Sequence, residues 1–315
     1  MLNSSIKNIV IAGAGLMGAS MAQIFAQHGY KVVVYDIYEK GIQNGKKLIE
    51  INQKTSIDEE VVTESQSREI IDNISFSTDI DCFKEADFAI EAIVENLSVK
   101  QEFWKDVAAL APTNTVLATN TSGLSITEIA KTVNHPDRFA GMHWVNPPHI
   151  VPLVEIISGD DTSPEAVEII RDLVFSIKKV PVFVKKDAKG FVLNRLQYAV
   201  LREALNIVEN DIASIEDVDN VMKYGLGMRY ACIGPFQTVD LGGLDTFYKV
   251  GSYLFADLSD QKDVPALLKE KFEKNAFGVK TGQGFYDYSD GKDEEVIEKR
   301  DKDFIKIAKC LYSDL

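Results

Sequence analysis

The sequence predicts an α/β protein, a mostly parallel sheet wrapped by helices and followed by an all-α C-terminal domain. Three observations carry that expectation. Over the first 185 or so residues, short β-branched apolar runs alternate with helical patterns, as strands joined by crossover helices do. The first run leads directly into Gly13-Ala14-Gly15-Leu16-Met17-Gly18, and the second ends on an acid, Asp36. Beyond the polar segment Lys185-Lys186-Asp187-Ala188-Lys189-Gly190 the apolar period becomes helical throughout.

Each element has its own reason. Ile9-Val10-Ile11-Ala12 reads as a buried strand, a helical pattern follows to Gly29, and Val32-Val33-Val34-Tyr35 reads as the second strand. Between them Gly13 permits a tight strand-to-helix turn, Gly15 lets a pyrophosphate approach the backbone, and Gly18 lets helix and sheet pack closely. The free N–H groups of the first helical turn, with Leu16 and Met17, and the helix dipole favour phosphate charge. Asp36, eighteen residues past Gly18, sits where a carboxylate accepts from both ribose hydroxyls of NAD and repels the extra phosphate of NADP. A lone GxGxxG is a weak signal. Its flanking strands, helix and terminal acid make this one a Rossmann-type NAD-binding fingerprint, with Gly13, Gly15, Leu16, Met17, Gly18 and Asp36 as cofactor contacts.

A polar helical excursion is expected over residues 39–73. Strands are expected near Ile74-Ser77, Phe88-Glu91, Val116-Thr119, Phe139-His143, Val151-Ile157 and Val180-Val184. Helices are expected near Val99-Ala111, ended by Pro112, and near Pro164-Lys178. The NAD-binding domain is thus placed at 1–186 and a helical substrate and dimerisation domain at 187–315. In the latter, Leu193, Leu196, Val200, Ala204 and Ile207 form one stripe, and further helices fit 215–224, 236–257, 263–275 and a last segment through Ile297, Phe304, Ala308 and Leu311. A stripe of this kind commonly packs against its own copy, so a homodimer through this domain is expected.

Composition excludes several classes. At 315 residues with 45% hydrophobic and 26% charged residues, the chain reads as globular. A formal charge of −14 argues against nucleic acid and anionic membrane as partners, leaving a small-molecule substrate. Cys82, Cys232 and Cys310 form no ligand pattern, so neither a metal site nor a disulfide framework is expected, and they read as reduced thiols of a cytoplasmic protein. The amino terminus enters the first strand by about Lys7, leaving no room for a signal peptide, and no apolar run is long enough to span a bilayer.

Four histidines limit the candidates for acid–base work. His28 ends the first helix, where a cation complements the dipole. His135 lies in a polar loop and His149 follows the rigid Pro147-Pro148 turn. His143 differs, because it ends a strand, and ligands of doubly wound sheets bind beyond the carboxyl ends of strands. Glu155, twelve residues later, is an acid inside the apolar run Leu153-Val154-Glu155-Ile156-Ile157 and is costly to bury unpaired. If the Pro147-Pro148 turn folds that strand back, Glu155 reaches the imidazole. The pair then works either as base and orienter or as a buried structural pair. Ser122 lies at another strand's carboxyl end, as a substrate contact or as part of a Ser/Thr turn. Asn194 opens a helix beside an apolar stripe, where asparagine either ties the turn down or faces substrate.

These residues, together with Glu91-Ala92-Ile93-Val94-Glu95-Asn96-Leu97, Thr119–Ser122, Asn146-Pro147, Gly190–Arg195 and Gly278-Val279-Lys280-Thr281-Gly282-Gln283-Gly284-Phe285-Tyr286, match one family. Over nearly its full length the chain resembles the NAD-dependent 3-hydroxyacyl-CoA dehydrogenases. The resemblance implies that His143 is the general base and Glu155 its partner. It implies that Ser122 and Asn194 hydrogen-bond the reacting oxygen and the substrate carbonyl, and that Glu95, Lys100, Asn146 and Lys280 hold the nicotinamide half of NAD. The implied reaction passes the 3-hydroxyl proton to His143 and a hydride from C3 to NAD, in fatty acid metabolism, with oxidation rising as His143 loses its proton.

Two departures bear on the substrate. In CoA-using members the excursion is rich in lysine, whereas residues 37–80 here hold five basic against nine acidic residues, with Lys46, Lys47 and Lys54 as the candidates for phosphate. Gly225-Leu226-Gly227-Met228-Arg229-Tyr230, Asn146-Pro147-Pro148 and the charged tail past Tyr288 are more similar to relatives acting on free hydroxy acids, of the gulonate (lambda-crystallin-type) and carnitine kind. Arg229 then either clamps a substrate carboxylate or satisfies helix-end carbonyls. The expectation is a 3-hydroxyacyl-CoA dehydrogenase, with a free hydroxy-acid dehydrogenase as the alternative. A non-catalytic NAD-binding protein is disfavoured by the presence of Ser122, His143, Glu155 and Asn194.

Overall fold

The computed structural model describes residues 6–312. These form two compact units that part between Asn194 and Arg195. In the first, chain order is β1 (Asn8–Ala12), α1 (Leu16–Gln27), β2 (Lys31–Tyr35), α2 (Glu39–Asp58), α3 (Glu64–Asp72), β3 (Ile74–Ser77), β4 (Phe88–Glu91), α4 (Leu97–Leu110), β5 (Val116–Thr119), α5 (Ile126–Ala130), β6 (Phe139–Trp144), β7 (Leu153–Ile157), α6 (Pro164–Ser176) and β8 (Val180–Val184). The eight strands make one sheet in the order β3-β2-β1-β4-β5-β6-β7-β8. Every neighbouring pair is parallel except β6 and β7. The order turns outward on both sides of β1, which opens a crevice at the carboxyl ends of β1 and β4.

The continuous apolar runs are strands buried on both faces. Ile9 and Ile11 of β1 join one core with Met21, Phe25 and Trp144, while Val10 and Ala12 join another with Phe83, Trp104 and Phe139. That alternation is the two-residue period of a strand. The expected excursion is the helix pair α2 and α3. α2 buries Ile42, Gly45, Ile49 and Gln53 at helical spacing, and Gln53 donates to Gln23 of α1 at 2.9 Å. A capping box between Thr63 and Gln66 starts α3.

The strand expected from Val151 begins at Leu153, because Val151 closes the preceding turn on the Pro147 carbonyl (3.0 Å). Beside that turn lies Lys179, 5% exposed, its Nζ donating to the Val151 carbonyl at 2.7 Å and lying 5.1 Å over the Trp144 ring. Burial pushes this ammonium down to about 7.

The second unit is helical. It contains α7 (Leu193–Glu209, from Arg195 onward), α8 (Ile215–Val221), a π-helical turn over Met222–Gly227, α9 (Met228–Tyr230), α10 (Pro235–Gly242), α11 (Leu244–Asp257), α12 (Ala266–Glu273) and α13 (Lys292–Leu311). The single helix expected over 236–257 is two helices, broken at Gly243, whose φ of 92° a helix cannot hold. Two residues of the expected α7 stripe, Leu196 and Val200, are 57% and 42% exposed in the single chain. Among the described residues no helix is long and apolar enough to cross a membrane.

Candidate active site

The dinucleotide fingerprint folds as its glycines require. Gly13 takes φ 99°, and a Cβ there would lie 2.7 Å from the Ala92 carbonyl oxygen. A Cβ on Gly18 would lie 1.8 Å from the Gly13 oxygen, so helix and strand touch at that point. Gly15 is different. No heavy atom comes within 4 Å of its would-be Cβ, and it begins α1 without a side-chain cap. An uncapped helix start facing open space fits a pyrophosphate. Leu16 and Met17 form the first turn of that helix.

Asp36 closes the cradle, its Oδ2 accepting from the Ala14 N–H and its Oδ1 from the Tyr38 N–H, both at 3.0 Å. A cavity of about 470 Å³ adjoins it, lined by Gly13, Gly15, Asp36, Ile37, Val94 and Phe103. Mostly apolar walls, with Asp36, Glu102 and Asp106 as the acids among the lining residues, fit the adenosine half of NAD.

His143 ends β6, and the antiparallel register sets it directly opposite Glu155 of β7. The His143 Nδ1 lies 2.8 Å from Glu155 Oε2, and the two residues are 5% and 1% exposed. The other carboxylate oxygen accepts from the Val192 and Leu193 N–H groups, each at 2.9 Å, at the start of α7. Gly190 and Phe191, at φ 76° and 49°, turn those groups toward Glu155. Burial by itself pushes the Glu155 carboxyl up, but the His143 ring and the two backbone N–H groups outweigh it and hold the group below the ordinary carboxylate range. An ionised carboxylate only accepts, so His143 Nδ1 carries the proton and its Nε2 presents a lone pair. The Phe191 ring packs 5.6 Å from the imidazole.

The second arm comes from β4, α4 and the end of β5. Glu95 Oε1 accepts from the Thr121 hydroxyl (2.5 Å) and the Ser122 N–H (3.0 Å). Asn194 donates through Nδ2 to the Ser122 carbonyl at 3.0 Å. Both backbone polar groups of exposed Ser122 are therefore fixed, while its hydroxyl has no partner among the described residues. Asn194 thus ties the first turn of α7 to Ser122. Lys100 lies inside the protein, 1% exposed, against Glu91 (2.6 Å) and Glu95 (3.4 Å). The Asn120 side chain accepts from the Trp144 N–H at 2.8 Å, joining the ends of β5 and β6.

The remaining cofactor and substrate candidates are exposed side chains. Asn146 is exposed in the turn after β6. Lys46 is exposed on α2 with its Nζ 5.1 Å over the Phe76 ring, and Lys54 is exposed on the same helix. Lys280 and Arg229 belong to the second unit. Lys280 is exposed in the turn that the Gly278 N–H and Gln283 carbonyl close at 2.7 Å. Arg229 is exposed on α9, and among the described residues its guanidinium has no hydrogen bond or ion pair, so it satisfies no helix-end carbonyl. His28 caps α1 through Nδ1 on the Ile24 carbonyl (2.9 Å). Burial, with Lys178 and Lys179 nearby, outweighs the Ile24 contact and pushes its imidazole down, which disfavours the cation that would complement the dipole.

Sequence reasoning passed over Glu91, Asn120 and Phe191. Glu91 carried a readable signal, an acid closing the otherwise apolar Phe88–Glu91 strand, the same signal that singled out Glu155.

Known proteins match along the whole arrangement. Residues 8–188 match the NAD binding domain of 3-hydroxyacyl-CoA dehydrogenase, and residues 190–288 match its C-terminal domain. The chain is 37% identical over 307 residues to 5-formyl-3-hydroxy-2-methylpyridine 4-carboxylate 5-dehydrogenase of Mesorhizobium japonicum, covering 97% of this chain and 98% of that protein. It is 38% identical over 286 residues to a probable 3-hydroxybutyryl-CoA dehydrogenase of Bacillus subtilis, covering 90% and 98%. Among solved structures, a 5-formyl-3-hydroxy-2-methylpyridine 4-carboxylic acid 5-dehydrogenase, described as an NAD⁺-dependent dismutase, aligns with a TM-score of 0.91 at 36% identity over 98% of this chain and 99% of that one. (S)-3-hydroxybutyryl-CoA dehydrogenase from Ralstonia eutropha aligns with a TM-score of 0.75 at 36% identity, over 91% and 100%.

Proposed function

The chain belongs to the 3-hydroxyacyl-CoA dehydrogenase family of NAD-dependent CH–OH dehydrogenases, and we propose that it acts on a small free hydroxy carboxylate, with His143 as its base. The observation that carries the chemistry is the His143 Nδ1 contact to Glu155 at 2.8 Å, which leaves Nε2 open. NAD, when bound along Gly13–Gly18 and Asp36, supplies the hydride acceptor. His143 Nε2 takes the substrate's hydroxyl proton. The imidazolium that forms lies against a carboxylate already ionised and held by two N–H groups, so little reorganisation accompanies proton transfer. The free Ser122 hydroxyl and the Asn194 side chain orient the reacting oxygen, and Glu95, Asn146 and Lys280 serve the nicotinamide end.

Three observations support the free acid over a CoA thioester. The excursion that would meet CoA phosphates is acidic, and Lys46 lies over Phe76. Among the described residues the exposed Arg229 guanidinium has no hydrogen bond or ion pair, which leaves it open to a carboxylate. The similarity to the pyridine carboxylate enzyme reaches 97% of the chain. The CoA reading keeps its own support in the Bacillus subtilis relative, with Lys46 and Lys54 as phosphate contacts. The second unit's exposed rings, Tyr248 and Phe255 at 79% each, support a homodimer through that unit.

NADH formation by the purified protein tests the substrate class, with 5-formyl-3-hydroxy-2-methylpyridine 4-carboxylate, 3-hydroxybutyrate, carnitine and gulonate compared against 3-hydroxybutyryl-CoA. Turnover on a free acid is expected. Turnover on the thioester alone would reverse the assignment, and NAD binding without any turnover would leave a non-catalytic protein.

A further inference from the structure

Behind Ser122 lies a chain of buried charge that the proton transfer does not use. Glu91 is fully buried at the end of β4. Its carboxylate accepts from the Ile93 N–H (3.0 Å), from the Thr119 hydroxyl and from Lys100 Nζ (2.6 Å). Lys100 also reaches the Ile93 carbonyl and Glu95 Oε2, each at 3.4 Å. Glu95 in turn holds Thr121 and the Ser122 N–H through its other oxygen. One ammonium is thus shared by two carboxylates, and one of these is fixed to the candidate substrate contact.

The arrangement is a poor choice for stability alone. A cation in the first turns of α4 opposes the helix dipole. Burying an ion pair gains little over apolar side chains of the same volume, although breaking one by removing a single partner is costly. We propose that Glu91 and Lys100 are positioning residues. Glu91 fixes the ammonium, the ammonium fixes Glu95, and Glu95 sets the backbone of Ser122 so that its hydroxyl meets the substrate oxygen. Lys100 on this account acts on Ser122 through Glu95, besides the nicotinamide contact that the resemblance implies for it. The inference rests on the proposed role of Ser122, but its first test does not.

That test is amide hydrogen exchange at Ser122, measured by mass spectrometry in the wild type, the paired variant Glu91→Met with Lys100→Met, Glu91→Gln, and Glu95→Ala. Exchange at Ser122 is expected to quicken in all three variants. In Glu91→Gln, which keeps Lys100 and Glu95, kcat is expected to fall on the order of 10²-fold, the cost of a small misplacement, while NADH affinity stays within about threefold. A pair with a structural role only would regain both stability and kcat when replaced by two methionines, and that result would overturn the proposal. Unchanged exchange at Ser122 would also overturn it. Should neither Glu91 variant fold, Lys100→Gln decides, with quickened exchange at Ser122 expected and unchanged exchange overturning the proposal, while Glu95→Ala, which removes the Ser122 acceptor directly, is the control for full release. If the wild type oxidises no substrate, quickened exchange still upholds the positioning chain, and only the functional reading falls.

Discussion

Glu155 faces two demands at once: it fixes the His143 proton on Nδ1 and it accepts two N–H groups at the start of α7. Glutamine in its place keeps the shape and loses the charge. Glu155→Gln is expected to lower kcat by roughly 10²-fold, within the 10² to 10⁴ that a positioned base contributes, with NAD affinity unchanged. The same carboxyl makes a stability prediction. Its folded value lies below the ordinary 4.5, so the stability it contributes is complete above that pH and is lost as pH falls through the folded value. The difference in Tm between wild type and Glu155→Gln should therefore be largest above about pH 5 and shrink on acidification. A constant difference across that range would show that Glu155 acts by packing and not by charge. Glu155 was legible because an acid amid Leu153–Ile157 needs a partner. Lys100 was harder to read. Helical spacing does set Lys100 on one face of α4 with Trp104 and Val107, but a lysine there reads as a solvated side chain until Glu91, nine residues earlier, is seen to meet it inside the protein.

At the scale of elements, the glycines of the first turn separate folding from binding. Gly15 takes φ −71°, and a methyl there meets nothing within 4 Å. Gly15→Ala should leave Tm nearly unchanged and weaken NAD by tenfold or more, roughly 1.4 kcal/mol, because the methyl enters the space of the pyrophosphate. Gly18→Ala would drive a Cβ to 1.8 Å from the Gly13 oxygen, so the backbone must shift, and a cost of about 1–3 kcal/mol in stability is expected. Thermal melts of both variants with and without NAD check the pair of outcomes, and equal loss of Tm in the two would contradict it. The strands themselves were legible from apolar runs, and so was the reversal after Pro147-Pro148 that the His143–Glu155 register requires. The break at Gly243 was passed over although the Gly242-Gly243 pair marks it, because the apolar period of 236–257 runs through the pair. The π-helical turn over Met222–Gly227 leaves no mark on residue spacing.

For the molecule as a whole, the two units differ in how they bury apolar surface. The first encloses whole strands. The second leaves large side chains in solvent, among them Phe236 at 85%, Leu241 at 78%, and Tyr248 and Phe255 at 79% each. Exposed patches of this kind on a helical unit are ordinarily covered by another chain. A second copy is the occupant proposed, and its energetics are specific. Each copy carries a formal charge of −14, so association brings like charges together while it removes apolar rings from water. Salt screens the first effect and leaves the second, so the dimer should tighten as ionic strength rises. Sedimentation of the purified chain is expected to give twice the 35.0 kDa of one copy, with the dimer persisting from low to high salt. Phe255→Asp, which puts a further negative charge on that surface, should shift the equilibrium toward monomer and leave the first unit's affinity for NAD as it was. A monomer in the wild type at high salt, or a Phe255→Asp dimer as tight as the parent, would remove the second copy as the occupant of that face.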